Sequence, residues 1–198
     1  MLKRALDLLI SALGFVLLSP LFLTVAAAVR LSSSGPIFFR QRRVGLGGKM
    51  FKIIKFRSMV HDAESLREDL VPQSLYTDAR LFKIKDDPRV TALGAFLRRT
   101  SLDELPQLWN VFRGDMSLVG PRPPLPSEVD LYEDHHYTRF DVKPGITGPW
   151  QVSGRNSITD FEEVIRLETG YIRGWTIWKD LGILLRTVPV VVKMRGAH

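Results

Sequence analysis

The sequence predicts an α+β protein with a kinked N-terminal membrane helix, interfacial amphipathic helices and a small domain that contains a β-hairpin. Three observations predict this class: a long uncharged apolar run near the N-terminus, two short basic and apolar segments joined by glycines, and amphipathic patterns in the C-terminal half. At 198 residues the chain can form one hydrophobic core with an appended membrane segment. We therefore expect a membrane-anchoring helix over residues 1–34 and one globular domain over residues 35–198.

The chain is basic, with 28 Lys and Arg residues against 21 Asp and Glu residues. This excess suits nucleic acid, anionic lipid headgroups or phosphorylated substrates, and charge alone does not choose among them. The sequence contains no cysteine. Disulfides, thiolate metal sites and thiolate nucleophiles are therefore excluded.

The apolar run covers residues 8–29 and carries no formal charge. A helix needs about 20 apolar residues to cross the hydrocarbon core of a bilayer. Ser19 and Pro20 lie near the middle of the run, and proline removes a backbone donor and clashes with the preceding helical turn. We therefore expect a kink or break at Ser19-Pro20, which would let the helix enter and leave the membrane by one face.

The basic residues near the run support the same topology. They lie on both sides of it: Lys3, Arg4, Arg30, Arg40, Arg42, Arg43 and Lys49. The positive-inside rule draws both flanks toward the cytoplasm, so a re-entrant helix is favoured. A straight single-pass helix stays open because kinked spanning helices are tolerated. A signal peptide is a second alternative, with Lys3-Arg4 as its basic region and Ala26-Ala27-Ala28 as its cleavage site.

The remaining pattern predicts a mixed domain. Residues 37–44 and 49–57 are predicted strands, and the glycines between them favour a β-hairpin. Further predicted elements are helices over 62–70, 90–97 and 159–172 and loops over 72–85 and 143–149. The segment 175–192 mixes tryptophans with apolar and basic residues, which fits an interfacial amphipathic helix and a core helix equally well.

Asp103 and Glu104 are the candidate catalytic carboxylates. Ser101-x-x-Glu104 is also a capping-box pattern, and local sequence alone favours that structural role. However, a helix N-terminus attracts phosphate, and Arg98 and Arg99 add positive charge there. Aspartate can attack phosphorus when arginines or Mg²⁺ neutralise the phosphate oxygens. Adjacent helical side chains diverge by about 100°, so the two carboxylates would have different roles.

Further basic residues are candidates for anion binding. Arg122 lies between two prolines, whose rigidity suits an anion clamp. Lys55, Arg57 and Arg155 are weaker candidates, because an ordinary basic surface also produces them. The four histidines show no metal-ligand spacing and are expected at the surface. The sequence contains neither a Walker-type phosphate loop nor a Gly-x-Gly-x-x-Gly motif after a strand.

These motifs resemble the bacterial sugar transferases, the monotopic phosphoglycosyl transferases that begin the assembly of cell-surface polysaccharides and glycoconjugates. They occur in family order over nearly the whole chain: Ser19-Pro20, Lys55-Phe56-Arg57-Ser58-Met59, Thr100-Ser101-Leu102-Asp103-Glu104-Leu105-Pro106-Gln107-Leu108, Gly114-Asp115-Met116-Ser117-Leu118-Val119-Gly120-Pro121-Arg122-Pro123 and Lys143-Pro144-Gly145-Ile146-Thr147-Gly148.

The resemblance implies transfer of a sugar 1-phosphate from a UDP-sugar to undecaprenyl phosphate. Asp103 would attack the β-phosphate, expel UMP and hold the phosphosugar until the lipid phosphate takes it up, which is a ping-pong route. Mg²⁺ would bind near Asp103, and Glu104 would assist or orient. The basic residues expected to bind phosphate or substrate are Lys55, Arg57, Arg98, Arg99, Arg122 and Arg155.

The resemblance also implies a location and a branch of the family. Residues 35–198 would be a cytoplasmic catalytic domain at the bacterial inner membrane, in contact with membrane lipids. The segment Lys85-Asp86-Asp87-Pro88-Arg89 is similar to the polysaccharide-initiating branch, which transfers hexose 1-phosphates such as galactose or glucose. The chain resembles the isolated catalytic unit without the extra transmembrane helices of longer members, and a homo-oligomer is compatible with it.

Two functions of other classes are weighed against this enzyme. One is a scaffold that binds anionic lipid through the basic hairpin and the interfacial helices. The other is a membrane-tethered nucleic-acid binder, although no helix-turn-helix, zinc or aromatic RNA-binding signature supports it. We therefore expect a membrane enzyme that has no nucleic-acid partner.

Overall fold

The computed structural model describes residues 1–76, 78–82, 84–154 and 158–192 and has the mixed helix and strand composition that the sequence predicts. The helices are α1 (Leu2–Ser32), α2 (Arg67–Leu70), α3 (Ala92–Arg99), α4 (Gln107–Arg113), α5 (Pro126–Val129), α6 (Pro149–Val152), α7 (Phe161–Arg173) and α8 (Ile177–Val192). The strands are β1 (Phe38–Val44), β2 (Met50–Phe56), β3 (Ser117–Val119) and β4 (Gly145–Thr147). Segments of 3-10 helix cover Leu46–Gly48, Val71–Gln73, Leu102–Glu104 and Asp134–Asp141.

The β-hairpin is confirmed. Strands β1 and β2 pair antiparallel, with Phe38 opposite Phe56 and Val44 opposite Met50. In the connecting turn Gly47 and Gly48 have φ values of 62° and 73°. Glycine adopts this left-handed conformation readily because it has no Cβ. The turn therefore fixes the register that places the end of β2 against the rest of the domain.

A second sheet in the described part of the chain joins β3 and β4 in parallel, with Ser117 opposite Gly145 and Val119 opposite Thr147. The prediction of a plain loop over 143–149 is therefore wrong at β4. A three-residue strand has too little alternation to stand out in the sequence, and its partner is distant along the chain. The backbones at Gly145 and Gly120 pack closely, because a Cβ on Gly145 would lie 2.1 Å from the Gly120 nitrogen.

The main core lies between β2, α4, β3, α7 and α8. Its buried members are Ile53, Leu108, Val111, Met116, Leu118, Val119, Tyr171 and Ile183. Helix α8 contributes Ile183 to this core, whereas Trp178 and Leu185 on the same helix are 76% and 73% exposed. Segment 175–192 is thus a core helix on one face and an open apolar surface on another.

Helix α1 is long and apolar enough to cross a membrane by length and composition, with a mean hydropathy of 2.4 over an 18-residue window. It nonetheless packs against the domain along its length. Phe15 contacts Trp109 of α4, and Phe22 contacts Phe56 of β2, with ring centroids 6.3 Å and 5.7 Å apart. Its opposite side chains, including Val16, are exposed.

The N-terminal end of α1 is held to the domain by charged side chains. Lys3 Nζ lies 2.5 Å from Asp180 Oδ2 on α8. Arg4 donates at 2.6 Å to the carbonyl of Val111 near the end of α4. Asp7 is buried, and its Oδ1 accepts a hydrogen bond of 2.9 Å from the Leu118 N–H. These contacts attach the N-terminal end of α1 to the domain that its C-terminal half also contacts.

The expected break at Ser19-Pro20 does not interrupt α1, which continues through Pro20 as one helix. Pro20 has no N–H with which to bond the Val16 carbonyl one turn earlier. The Ser19 hydroxyl donates to that carbonyl at 2.8 Å. Serine before proline therefore satisfies the acceptor that proline leaves free, which matters where no water is available.

Candidate active site

A single large cavity of about 1140 Å³ collects most of the charged candidates within the described residues. The cavity lies between α3 with its flanking segments on one side and β2, β3, β4 and α8 on the other. Its charged lining residues are Lys55, Asp86, Asp87, Arg89, Arg98, Arg99, Asp103, Glu104 and Arg122. Four of the six basic residues predicted to bind phosphate, Lys55, Arg98, Arg99 and Arg122, thus line the same cavity as Asp103 and Glu104.

Asp103 owes its position to a reversal of the chain after α3. Ser101 adopts the left-handed conformation with φ of 56°, and the segment Leu102–Glu104 then forms a single 3-10 turn. Ser101 makes no side-chain capping bond, and α4 begins only at Gln107. The capping-box interpretation is therefore wrong. Instead, the tight turn presents Asp103 to the cavity while leaving it only 6% exposed.

Glu104 has a different environment from Asp103, as the divergence of adjacent side chains predicts. Its Oε1 accepts a hydrogen bond of 2.7 Å from Lys55 Nζ at the end of β2. Both side chains are about a quarter exposed, at 29% and 25%. The ion pair therefore sits on the cavity surface, where it fixes Lys55 beside the carboxylate pair.

Arg98 and Arg99 end α3 and are exposed where they line the cavity. A third arginine of the cavity wall is held by a carboxylate: Arg89 Nη2 lies 2.7 Å from Asp87 Oδ2. Burial alone would raise the pKa of Asp87, but the side-chain and backbone hydrogen bonds from Arg89 outweigh it and lower that pKa. The Asp87 carboxylate therefore stays ionised and paired, and Arg98 and Arg99 carry the exposed positive charge here.

Arg122 lines the cavity from the stiff segment after β3. Its guanidinium lies 3.3 Å from Glu128 Oε2 and over the Trp150 ring at 5.9 Å from the centroid. Its backbone N–H donates to Glu168 Oε1 at 3.1 Å. Its carbonyl accepts from Arg139 Nη2 at 3.0 Å. The predicted rigidity of Arg122 thus comes from these contacts as well as from the flanking prolines.

Sequence reasoning missed Glu168 and Arg139, although one signal for Glu168 was present. Helix α7 buries Phe161, Val164, Ile165, Glu168 and Tyr171. Glu168 therefore falls on the apolar face of an amphipathic helix, where a charged residue is costly unless it is paired. A glutamate at a core position indicates a buried partner.

Arg57 has a structural place away from the cavity. It is 7% exposed, and its guanidinium donates to carbonyls at and after the end of α1: Val29 at 3.2 Å, Ser33 at 2.7 Å and Pro36 at 2.5 Å. These carbonyls have no helical N–H to accept from at a helix end. We therefore assign Arg57 to the end of α1 rather than to substrate. Arg155, the remaining predicted phosphate ligand, lies outside the described residues.

The histidines are not all at the surface. His136 is fully buried, and its Nδ1 accepts from the Glu133 N–H at 2.8 Å. Its Nε2 must then carry the proton and donates to Glu162 Oε1 at 2.8 Å. His135 also contacts Glu162, and the three side chains lie close enough to hold a metal ion. Because neither nitrogen of His136 has a free lone pair, this cluster is a hydrogen-bonded support for the start of α7.

The chain is similar in sequence to a known protein family and to several of its members. The family model for bacterial sugar transferases matches residues 1–194. The galactosyl transferase CpsE of Streptococcus agalactiae is 46% identical over 98% of this chain and 43% of its own length. The exopolysaccharide production protein ExoY of Rhizobium meliloti is 40% identical over the whole of this chain and 88% of its own length.

A third relative has a name that states both substrates. It is the UDP-glucose:undecaprenyl-phosphate glucose-1-phosphate transferase of Caulobacter vibrioides, which is 42% identical over 99% of this chain and 72% of its own length. The chain therefore spans less than half of CpsE but most of the other two relatives.

Proposed function

This chain belongs to the bacterial sugar transferase family, and we propose that it transfers a hexose 1-phosphate from a UDP-sugar to undecaprenyl phosphate and releases UMP. The product would be undecaprenyl diphosphosugar, the lipid-linked start of a polysaccharide or glycoconjugate. The observation that carries the proposal is the position of Asp103, which is almost buried in a cavity that Lys55, Arg98 and Arg122 also line. A carboxylate can approach a diphosphate only where cations offset the repulsion between them.

This arrangement supports a covalent route. An Asp103 carboxylate oxygen attacks the β-phosphorus of the UDP-sugar, and the bond from that phosphorus to the bridging oxygen breaks. The bridging oxygen leaves with its electron pair as part of UMP. A phosphate oxygen of the lipid then attacks the same phosphorus and restores the free carboxylate. Each displacement is a phosphoryl transfer that depends on positioning and charge neutralisation.

The surrounding residues have separate roles in this scheme. Glu104 holds Lys55 at 2.7 Å, so that the ammonium group is fixed beside the reacting carboxylate. Arg98, Arg99 and Arg122 offer guanidinium groups, which match phosphate geometry better than ammonium does. A nearly buried Asp103 also limits the access of water, which would otherwise hydrolyse the phosphosugar.

Magnesium fits the donor set of this site. Mg²⁺ prefers carboxylate and phosphate oxygens and is usually held by one or two carboxylates together with substrate phosphates. Asp103, beside Glu104, offers such oxygens on the cavity wall. When bound there, Mg²⁺ would neutralise charge on the diphosphate and on the departing UMP.

We further propose that α1 is re-entrant and that the domain lies on the cytoplasmic face of the inner membrane. Charged residues hold the N-terminal end of α1 to the domain, and Arg57 holds the carbonyls at its other end. At about 1.5 Å per residue, a straight helix of this length would carry its ends to opposite sides of a bilayer. Attachment of both ends to one domain therefore supports entry and exit by one face, with membrane lipids around the exposed apolar side chains.

The test is release of UMP by detergent-purified protein with Mg²⁺ and undecaprenyl phosphate, across a panel of UDP-sugars that includes UDP-galactose and UDP-glucose. We expect release with one hexose and none from Asp103→Asn, which keeps the shape but removes the nucleophile. Asp62→Asn, at a side chain that is 81% exposed, is the matched control. Full turnover by Asp103→Asn would rule out the covalent route. Salt-sensitive lipid or nucleic-acid binding without UMP release would favour the two rival functions.

A further inference from the structure

The cavity that holds Asp103 has an apolar stretch of wall in addition to its charged part. Leu184, Thr187 and Val190 of α8 line it. These residues recur every three positions, which places them along one side of the helix. Leu118 and Ile146, from β3 and β4, line the same cavity. The enclosed space therefore joins a region of cations to a region of aliphatic side chains.

The polar atom of Thr187 is already used within the protein. Its hydroxyl donates to the Ile183 carbonyl at 2.8 Å. It lies 2.8 Å from the Thr147 hydroxyl, which must then be the donor because Thr187 has only one hydroxyl hydrogen. The α8 wall thus presents hydrocarbon and a satisfied hydroxyl. Sugar hydroxyls and a uracil ring would lose hydrogen bonds to water here without replacement.

We propose that this side of α8 binds the isoprene units next to the phosphate of the polyprenyl acceptor. The inference rests on the proposed function and adds the place where the hydrocarbon chain lies. An isoprenoid phosphate has a dianionic head and an apolar chain, which matches the two parts of the cavity. The head meets Lys55, Arg98 and Arg122, and the chain extends past Val190.

Helix α8 also carries exposed apolar side chains outside the cavity. Trp178 and Leu185 are 76% and 73% exposed, and at about 100° per residue they lie roughly opposite Thr187 on the helix. These exposed side chains would be in contact with lipid if the domain lies at the membrane. Helix α8 would then lie at the bilayer surface, so that the acceptor can keep its distal isoprene units in the bilayer while its phosphate reaches Asp103.

The experiment compares two valines of α8 that differ in direction. Val190 lines the cavity, whereas Val188 is 59% exposed and is two positions away, which is roughly 200° around the helix. Val190→Ser and Val188→Ser make the same chemical change. Steady-state UMP release is measured with the full chain in detergent, first against UDP-sugar concentration and then against undecaprenyl phosphate concentration. Thermal unfolding checks that both variants fold.

For Val190→Ser we expect the KM for undecaprenyl phosphate to rise roughly tenfold, because a buried aliphatic contact is lost, while the KM for the UDP-sugar stays the same. Val188→Ser should keep both values. An unchanged acceptor KM in Val190→Ser, or an equal rise in Val188→Ser, would overturn the α8 site. No UMP release by the wild-type protein with any donor would instead contradict the proposed function itself.

Discussion

Arg139 Nε lies 2.6 Å from Glu168 Oε2, and the two side chains are 3% and 0% exposed. The same pair holds both backbone polar groups of Arg122, since Glu168 accepts its N–H and Arg139 donates to its carbonyl. Burial alone would lower the pKa of Arg139, but the adjacent Glu168 carboxylate raises it, so the guanidinium stays charged. Buried ion pairs often add little net stability. We therefore interpret this one as a device that positions Arg122 in the cavity.

The first prediction separates that positioning role from folding. Glu168→Gln leaves Arg139 buried without a counterion, which typically costs about 3–5 kcal/mol of unfolding free energy. The paired change Arg139→Met with Glu168→Leu removes both charges and should unfold near the wild-type temperature. We expect it still to lose most UMP release, because the backbone of Arg122 is no longer held.

A double-mutant cycle checks this role. Arg122→Ala should reduce activity strongly in the wild-type background and little in the paired variant, because both changes remove the same interaction with substrate. Thermal unfolding accompanies each activity measurement. Independent, additive losses would show that Arg139 and Glu168 do not act through Arg122.

The second prediction concerns Lys55. Lys55→Met removes the ammonium group that Glu104 holds at 2.7 Å and leaves Glu104 without this cation partner. A charge-assisted hydrogen bond to phosphate contributes about 1.5–3 kcal/mol, so we expect roughly a tenfold to hundredfold loss of kcat/KM. Lys52→Met, at an exposed position on the same strand, is the control. Glu104→Gln should be milder, because its amide oxygen still accepts from Lys55.

The third prediction tests the close packing of β3 and β4. A Cβ on Gly145 would lie 2.1 Å from the Gly120 nitrogen and 2.4 Å from the Thr147 carbonyl oxygen. These are backbone atoms, so Gly145→Ala should destabilise the fold by at least about 1–3 kcal/mol. Gly170→Ala, inside α7 with no atom within 4 Å of the added Cβ, should stabilise it by roughly 0.5–1 kcal/mol. Thermal unfolding in detergent measures both, and equal shifts would contradict the packing argument.

Much of the fold could be predicted from local patterns. The hairpin, α7 and the long apolar helix each have a periodicity or turn signal within one stretch of sequence, and each is present. The strand β4 was missed because its pairing with β3 depends on residues that are distant in sequence. The same limit applies to Asp103 and Ser101, where a local capping pattern suggested a helix start and the chain instead forms a 3-10 turn.

Residue chemistry was sufficient to predict which candidate side chains lie together, whereas contacts that depend on packing were missed. Asp103, Lys55 and Arg122 share one cavity as their motifs suggested. Arg57 belongs to the same short motif as Lys55, yet it is turned to the end of α1. Alternation along a strand would place residues 55 and 57 on the same side of a sheet. However, β2 ends at Phe56, and the carbonyls at the end of α1 determine where the Arg57 side chain lies.

The fourth prediction is a loss of stability in acid that depends on Asp87. Hydrogen bonds from Arg89 hold the pKa of Asp87 below its ordinary value in the folded protein despite burial. As the pH falls, Asp87 therefore becomes protonated in the unfolded chain before it does so in the folded protein. The ion pair of Asp87 with Arg89 stabilises the fold above about pH 4, and this stabilisation is lost as the pH falls through the pKa of Asp87 in the folded protein. Asp87→Asn should unfold at a lower temperature than wild type at pH 7. The difference should shrink toward pH 3, and a constant difference would contradict the linkage.

The fifth prediction concerns the topology of α1, and the absence of cysteine from the chain makes it simple to test. Leu2→Cys and Ser34→Cys each introduce one thiol at an exposed position, one before and one after the apolar run. If α1 is re-entrant, a membrane-impermeant maleimide will label neither thiol in intact spheroplasts and both after permeabilisation. A straight spanning helix requires one of the two to be labelled in intact cells.

The contacts at the helix ends supply a second arm of the same experiment. Arg57→Met removes the hydrogen bonds to the carbonyls of Val29, Ser33 and Pro36, while Lys3→Met removes the ion pair with Asp180. If these contacts hold both ends of α1 to the domain, labelling of the nearby cysteine should become heterogeneous in each variant. Cytoplasmic labelling that stays uniform in both would mean that the charges flanking the apolar run fix the topology by themselves, as the positive-inside rule allows.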